Sequence, residues 1–344
     1  MNDEYIRAIE NQFTGDIEKD FEFIVKEANH LKNLGLDDSV KQVIKLFESK
    51  YPDKAKEFLF SKAKESYEKR KNLYNEAIAF EKNQEFDKAI ERIVKLIDSF
   101  PIKRNLEDNQ VLKSFGTIVE TLIYENYFNV DKKKIIHLEE PFANYYFHLA
   151  LCTYNLDDID KAIESLNTSL IYNEISADTY LLRAECYYKL GQLDQFFDSI
   201  TKALDVAYTK HTLGHAYYLL AKYYLSIGDK KATTICAVMS QNFLKTKEAN
   251  EILVQARQLP GDSVQITQAQ DIKEVLDAIH IQMGPSKKVI KSLSIAIAKA
   301  KKDNNKLLKY FLQVTYDITH DPNLKKELDE YAKKELENEK GSNN

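Results

Sequence analysis

Residues 143–247 repeat themselves at a fixed spacing. When Ala143–Ser176 is laid over the stretch that starts at Ala177, Tyr146 falls on Tyr180, Ala150 on Ala184, Cys152 on Cys186, Ile159 on Leu193, Leu166 on Ile200 and Leu170 on Leu204. The period is about 34 residues, enough for one helix–turn–helix unit. After a short insertion a third copy carries Tyr217, Ala221, Tyr224 and Gly228 where the second has Tyr180, Ala184, Tyr187 and Gly191. A unit of this length cannot bury its apolar face alone, so its neighbours must stack on it.

Weaker copies precede this core. From Phe21, Ala28, Leu31, Gly35, Val40, Ile44 and Phe47 hold the same offsets, and Pro52 closes the unit because proline cannot continue a helix. Residues 70–103 repeat the pattern with Ala77, Phe80, Phe86, Ala89, Ile93 and Pro101. Residues 53–69 are extra to the period and contain no breaker, which predicts one long helix from Asp53 to Gln84. Residues 104–142 read as a degenerate repeat. Leu112, Phe115, Gly116, Val119 and Leu122 form its inner helix, its partner lies in 131–138 before Pro141, and Lys132–Lys134 are a solvated surface run. At the N-terminus, Tyr5, Ile6, Ile9 and Phe13 have helical spacing up to Thr14-Gly15, and a second helix starts near Asp16. Beyond the core, 249–258 is helical, Leu259–Ser263 breaks it, 264–267 is loop, and Ile272, Val275, Leu276 and Ile279 fit a further helix ending near Gly284-Pro285. A faint echo of the repeat spans 291–324 (Ala298, Leu307, Val314, Ile318, Pro322), and Leu324, Leu328, Tyr331 and Leu336 mark a polar helix capping the stack. The expected organisation is therefore an N-terminal helix (1–20), divergent repeats (21–142), core repeats (143–247) and a C-terminal helical region with a capping helix (248–344).

Two antiparallel helices pack closely only if small residues stand where their backbones cross. Ala150 with Ala162, Ala77 with Ala89, and Ala28 with Val40 supply such pairs, while Tyr146, Tyr180 and Tyr217 fill space toward the neighbouring repeat. On these residues the chain resembles the tetratricopeptide repeat family, strongly over 143–247 and more weakly over 21–54 and 70–103. The family's usual tryptophan is missing, since the chain has none. The resemblance implies an all-α, right-handed α-solenoid of helix pairs with divergent ends, whose first helices line a concave groove. It also implies that the second, fifth, ninth and twelfth positions of each repeat face that groove. Here these are Asn144, Phe147, Leu151 and Tyr154; Asp178, Leu181, Glu185 and Tyr188; and His215, Tyr218, Lys222 and Leu225. Aromatic faces with a few polar groups suit an extended peptide or partner helix better than a phosphate or a metal. The family's two-carboxylate clamp for chaperone C-termini needs Lys and Asn at the fifth and ninth positions, where this chain has Phe147 and Leu151, or Tyr74 and Ile78.

Composition narrows the chemistry. Hydrophobic residues at 44%, charged residues at 30%, nine Gly and six Pro suit a helix-rich globular chain. A net charge of −5 with interspersed Lys and Glu argues against a nucleic-acid partner, which needs a clustered basic face. No stretch approaches the ~18 consecutive apolar residues of a membrane helix, and the first residues have no leader pattern, so no membrane role and a cytoplasmic location are expected. Three widely spaced cysteines, Cys152, Cys186 and Cys236, read as small buried hydrophobes. There is no phosphate loop, nucleophile elbow or paired-cysteine spacing, and His211 and His215 lack an acidic companion at a matching offset. No catalytic residue, metal or cofactor is expected. The reading is a non-enzymatic scaffold that binds a protein or peptide partner in the groove. The rival readings are a peptide-sensing bacterial regulator built on similar repeats and an assembly or secretion chaperone.

Overall fold

The computed structural model describes residues 3–100, 106–303 and 306–341, so Pro101, the expected close of the 70–103 repeat, lies outside the described residues, as does the Leu336 side chain. The chain divides into two compact units, 1–75 and 76–344, and the point of division falls within one long helix. That helix, α4 (Ala55–Lys82), is the expected continuous one.

The first unit contains α1 (Asp3–Glu10), α2 (Ile17–Asn33), α3 (Asp37–Lys50) and the start of α4. Helix α2 begins at Asp16 because its carboxylate accepts the Glu18 and Lys19 amides. The buried Asp20 carboxylate accepts from the Thr14 and Gly15 amides and from the Tyr51 hydroxyl at 2.6 Å, tying the turn before α2 to the end of α3. Ile9, Ile24, Leu31, Val43, Phe47 and Ala55 form its core. Ala28 and Val40 are only half-buried and line an open cleft of about 300 Å³ between α2 and α3.

In the second unit the repeat is plain. Its helices α5 (Phe86–Asp98), α7 (Phe142–Asn155), α8 (Ile159–Tyr172), α9 (Ala177–Lys189), α10 (Leu193–Val206), α11 (Lys210–Ser226), α12 (Lys230–Phe243) and α13 (Lys247–Gln258) pack in sequential pairs. Each pair also stacks on the next, as α5 on α7, α8 on α9, α10 on α11 and α12 on α13. The fold is thus an all-α solenoid of helix pairs. Ala77, Ala89, Ala150 and Ala162 have no exposed surface, as close helix crossing requires. Every turn between paired helices is built alike. Gln84, Asp157, Gly191 and Gly228 have φ of 61°, 63°, 69° and 78°. The amide after each donates back across the turn: Glu85 to Phe80, Asp158 to Thr153, Gln192 to Tyr187 and Asp229 to Tyr224, at 2.9–3.0 Å. This left-handed cap satisfies carbonyls that a helix end leaves open. The hydroxyls of Ser169 and Ser240 donate to the Ala143 and Gly214 carbonyls at 2.9 and 2.8 Å, an equivalent bond in two repeats.

Residues 106–141 depart from expectation. In place of an inner helix from Leu112, β1 (Gln110–Lys113) pairs in parallel with β2 (Lys134–His137), with Val111 opposite Ile135 and Leu112 opposite Ile136. Between them α6 (Ile118–Ile123) runs into a π turn at Tyr124–Phe128. The β-branched Val111, Ile135 and Ile136 favour a pleated surface, and Thr117 with Glu120 forms a capping box that starts α6 six residues later than the helical pattern implied. Lys134 opens β2 and, like Lys132 and Lys133, is exposed, so the lysine run is solvated as expected. The segment is tied to the array by its own charges. The buried Lys113 ammonium donates to Glu174 at 2.6 Å and to the Ile171 carbonyl at 3.0 Å, 4.9 Å from the centre of the Tyr124 ring. Glu120 accepts from the Gly116 and Thr117 amides, the Asn173 amide and the Tyr208 hydroxyl. Desolvation pushes the Glu120 carboxyl up, and these donors offset only part of it.

The C-terminal helices are α14 (Ala269–Ala278), α15 (Lys287–Lys302), α16 (Leu308–Thr319) and α17 (Pro322–Gly341); α14 carries Ile272, Val275 and Leu276 as expected but stops at Ala278, short of the expected end near Gly284-Pro285. Helix α14 lies on α12, and α15 lies on α10 and α6. The Tyr217 hydroxyl donates to the Gln282 carbonyl at 2.5 Å and accepts from the Gly284 amide at 2.7 Å, while Gln282 and Ser286 donate to the Leu204 and Asp205 carbonyls.

Candidate peptide-binding face

The second helices α10 and α12 are overlaid by the chain's own C-terminal part, whereas the first helices α7, α9 and α11 present a face of half-buried side chains. Asn144, Phe147, Leu151 and Tyr154 come from α7, Glu185 and Tyr188 from α9, and His215, Tyr218, Lys222 and Leu225 from α11, all of intermediate exposure. Asp178, at the start of α9, is solvent-exposed. Leu181 does not belong with them. It is 1% exposed and packs in the core, because α11 closes against α9 at that level.

Helical spacing turns these residues into a polar chain across three helices. The Tyr154 hydroxyl donates to one Glu185 oxygen at 3.1 Å, and His215 Nε2 lies 2.9 Å from the other. Desolvation raises the Glu185 carboxyl, but the His215 and Tyr154 hydrogen bonds and the nearby Lys222 more than offset it, so it is held below its ordinary range. Lys222 stands 3.9 Å from the centre of the Tyr188 ring and 5.9 Å from that of Tyr218, and Lys189 stands 4.1 Å from that of Tyr154. The Asp178 carboxyl is pushed up by surrounding protein, opposed by the imidazoles of His211 and His215. At the α11 end, His211, His215, Tyr218, Leu244, Thr246 and Glu248 line a cleft of about 280 Å³.

Position counting missed Lys189, which stands on the Tyr154 ring, and His211, which lines the cleft beside His215. Glu81 of α4 reaches His148 of α7 at 2.8 Å. Spacing alone marks backbone register, not how far a long side chain extends into the next repeat.

A second cleft, of about 630 Å³, opens on another side of the array, between α5 and α8 with α7 as its floor. Among the described residues no group of three His, Cys, Asp or Glu is placed to hold a metal ion. The rings of His211 and His215 are 6.2 Å apart, and His215 is engaged with Glu185. The three cysteines are buried, and burial pushes the Cys152 and Cys186 thiols up to about 12 and the Cys236 thiol higher still, so none is a ready thiolate. None of the described helices is long and apolar enough to cross a membrane.

No family model matches the chain, and no curated protein matches it. A search of solved structures finds similarity to a thermophilic TPR protein of Thermus thermophilus, with 15% sequence identity, 69% of this chain and 97% of that chain covered, and a TM-score of 0.34. The solenoid of helix pairs is therefore described from this chain's own sequential helix packing, its buried alanine crossings and its left-handed turns.

Proposed function

We propose that this protein is an interaction scaffold that holds an extended peptide or a partner helix against the face of α7, α9 and α11. The observation that carries this reading is the chain Tyr154–Glu185–His215, flanked by Lys222 on the Tyr188 ring. Fixed, half-exposed charges beside aromatic faces lose little conformational entropy on binding, which is how a recognition surface gains both area and register. The mixed signs of Asp178, Glu185 and Lys222 suit a partner segment that alternates apolar and polar groups.

The test is affinity capture with wild type and with the triple variant Glu185→Gln/Tyr188→Ala/Tyr218→Ala, after circular dichroism shows equal helicity. Partners bound by the wild type should weaken at least about tenfold in the variant, since truncating central aromatic contacts costs ~2 kcal/mol each. Equal capture by both would remove this face from the function.

A further inference from the structure

The three core repeats treat one equivalent surface in three ways. The back of each first helix carries Tyr146, Leu149 and Thr153 in α7; Tyr180, Arg183 and Tyr187 in α9; and Tyr217, Leu220 and Tyr224 in α11. In α9, Arg183 fills the space between the flanking second helices, donating to Asn167 of α8 at 3.0 Å and to Ser199 of α10 at 3.3 Å. In α11 the space is taken by the chain itself, and the Tyr217 hydroxyl grips the main chain of Gln282 and Gly284. In α7, Leu149 replaces the bridging arginine and Thr153 replaces a tyrosine. The result is the open cleft of about 630 Å³ between α5 and α8. Tyr146, the counterpart of Tyr217, lines that cleft, and its hydroxyl makes no hydrogen bond to another described residue.

We infer that this cleft is a second recognition site, which takes an extended peptide segment carrying an apolar side chain next to lysine or arginine. The third repeat is the template. There a phenol at the same position clasps a peptide backbone by donating to one carbonyl and accepting from one amide. In the first repeat Tyr146 is free to do so for a segment from another protein, while Leu149 and Ile90 offer the apolar floor. Asp87, Asp158 and Glu164 on the rim outnumber Lys161, which is already paired with Asp158 at 2.6 Å, and this acidic excess selects a basic flank. The site lies apart from the face of α7, α9 and α11, so it does not depend on that face being functional.

The experiment is selection of a random-peptide phage library on the full chain, followed by titration of a fluorescent synthetic copy of the enriched peptide. Enrichment of apolar peptides with Lys or Arg is expected. Leu149→Arg and Thr153→Tyr, which refill the cleft as the second repeat does, should weaken binding at least tenfold with helicity unchanged. Tyr146→Phe should cost about three- to tenfold, the worth of one hydrogen bond. Asp87→Asn/Glu164→Gln should weaken binding and flatten its salt dependence, while Glu185→Gln/Tyr188→Ala should leave it unchanged. If the cleft-filling variants misfold, Tyr146→Phe and the carboxylate pair decide the matter. Failure to enrich any peptide, enrichment of acidic ones, or equal binding by Tyr146→Phe and the carboxylate pair would overturn the proposal.

Discussion

Glu120 shows how much one side chain can hold. One of its oxygens accepts the Gly116 and Thr117 amides and the Asn173 amide, which belong to two separate parts of the second unit. Glu120→Ala should lose about 3 kcal/mol, because it leaves several buried donors unmet at ~1–3 kcal/mol each. Glu120→Gln keeps an acceptor in place and should lose no more than ~1 kcal/mol at neutral pH. Since the folded carboxyl is raised above its ordinary 4.5, the native state binds the proton more tightly than the unfolded chain. The wild type therefore loses stability as pH rises from the ordinary value through the raised one, and regains it on acidification through that window. Denaturant titrations across the acid range should show this slope in the wild type and not in Glu120→Gln. The inter-helix turns make a second prediction. Asp157 occupies a left-handed position that Gly191 and Gly228 fill without a Cβ. Asp157→Gly should raise the melting temperature slightly, by ~0.5–1 kcal/mol of stability, and Gly191→Ala should lower it by about as much. The exposed Asp157–Lys189 pair lost in the first variant is worth little against this.

Helix positions were legible because a period of about 34 residues constrains every copy at once. The long α4, the N-cap of α2 at Asp16, the loop after Leu259 and the pair α15–α16 lie where composition and spacing put them. In 106–141 Val119 and Leu122 lie in α6 as their spacing implies, whereas Leu112, in β1, and Phe115, in the loop after it, share that spacing by coincidence. Parallel pairing of β1 with β2 is a non-local choice that no local period reports. The candidate face was legible as a list of positions, of which all but the buried Leu181 are half-buried or exposed. Its chemistry was not, because the Glu185–His215 and Lys222–Tyr188 contacts join residues a full repeat apart and depend on how tightly α9 and α11 approach. The cleft over Leu149 was equally hidden. It comes from a difference between repeats, whereas an alignment of repeats looks for what they share.

Within the second unit the cross-ties change what kind of object the array is. In a simple stack each repeat touches only its neighbours, so it unravels from an end, one unit at a time. Here Lys113 reaches Glu174, Glu120 reaches Tyr208, Tyr217 reaches Gln282, and Asn126 reaches Ser292 at 3.3 Å. These bonds close loops over long stretches of chain, so none of the three core repeats can fray without breaking a contact to a distant segment. Melting of residues 76–344 should accordingly be a single all-or-none transition, with calorimetric and van't Hoff enthalpies in agreement. Tyr217→Phe, which cuts the tie between α11 and the C-terminal helices, should broaden that transition or split it in two. The same closure carries a kinetic cost. The core repeats can form early from local contacts, but the last steps must wait for strands and helices far apart in sequence to meet, so folding should be slower than helix content alone would suggest.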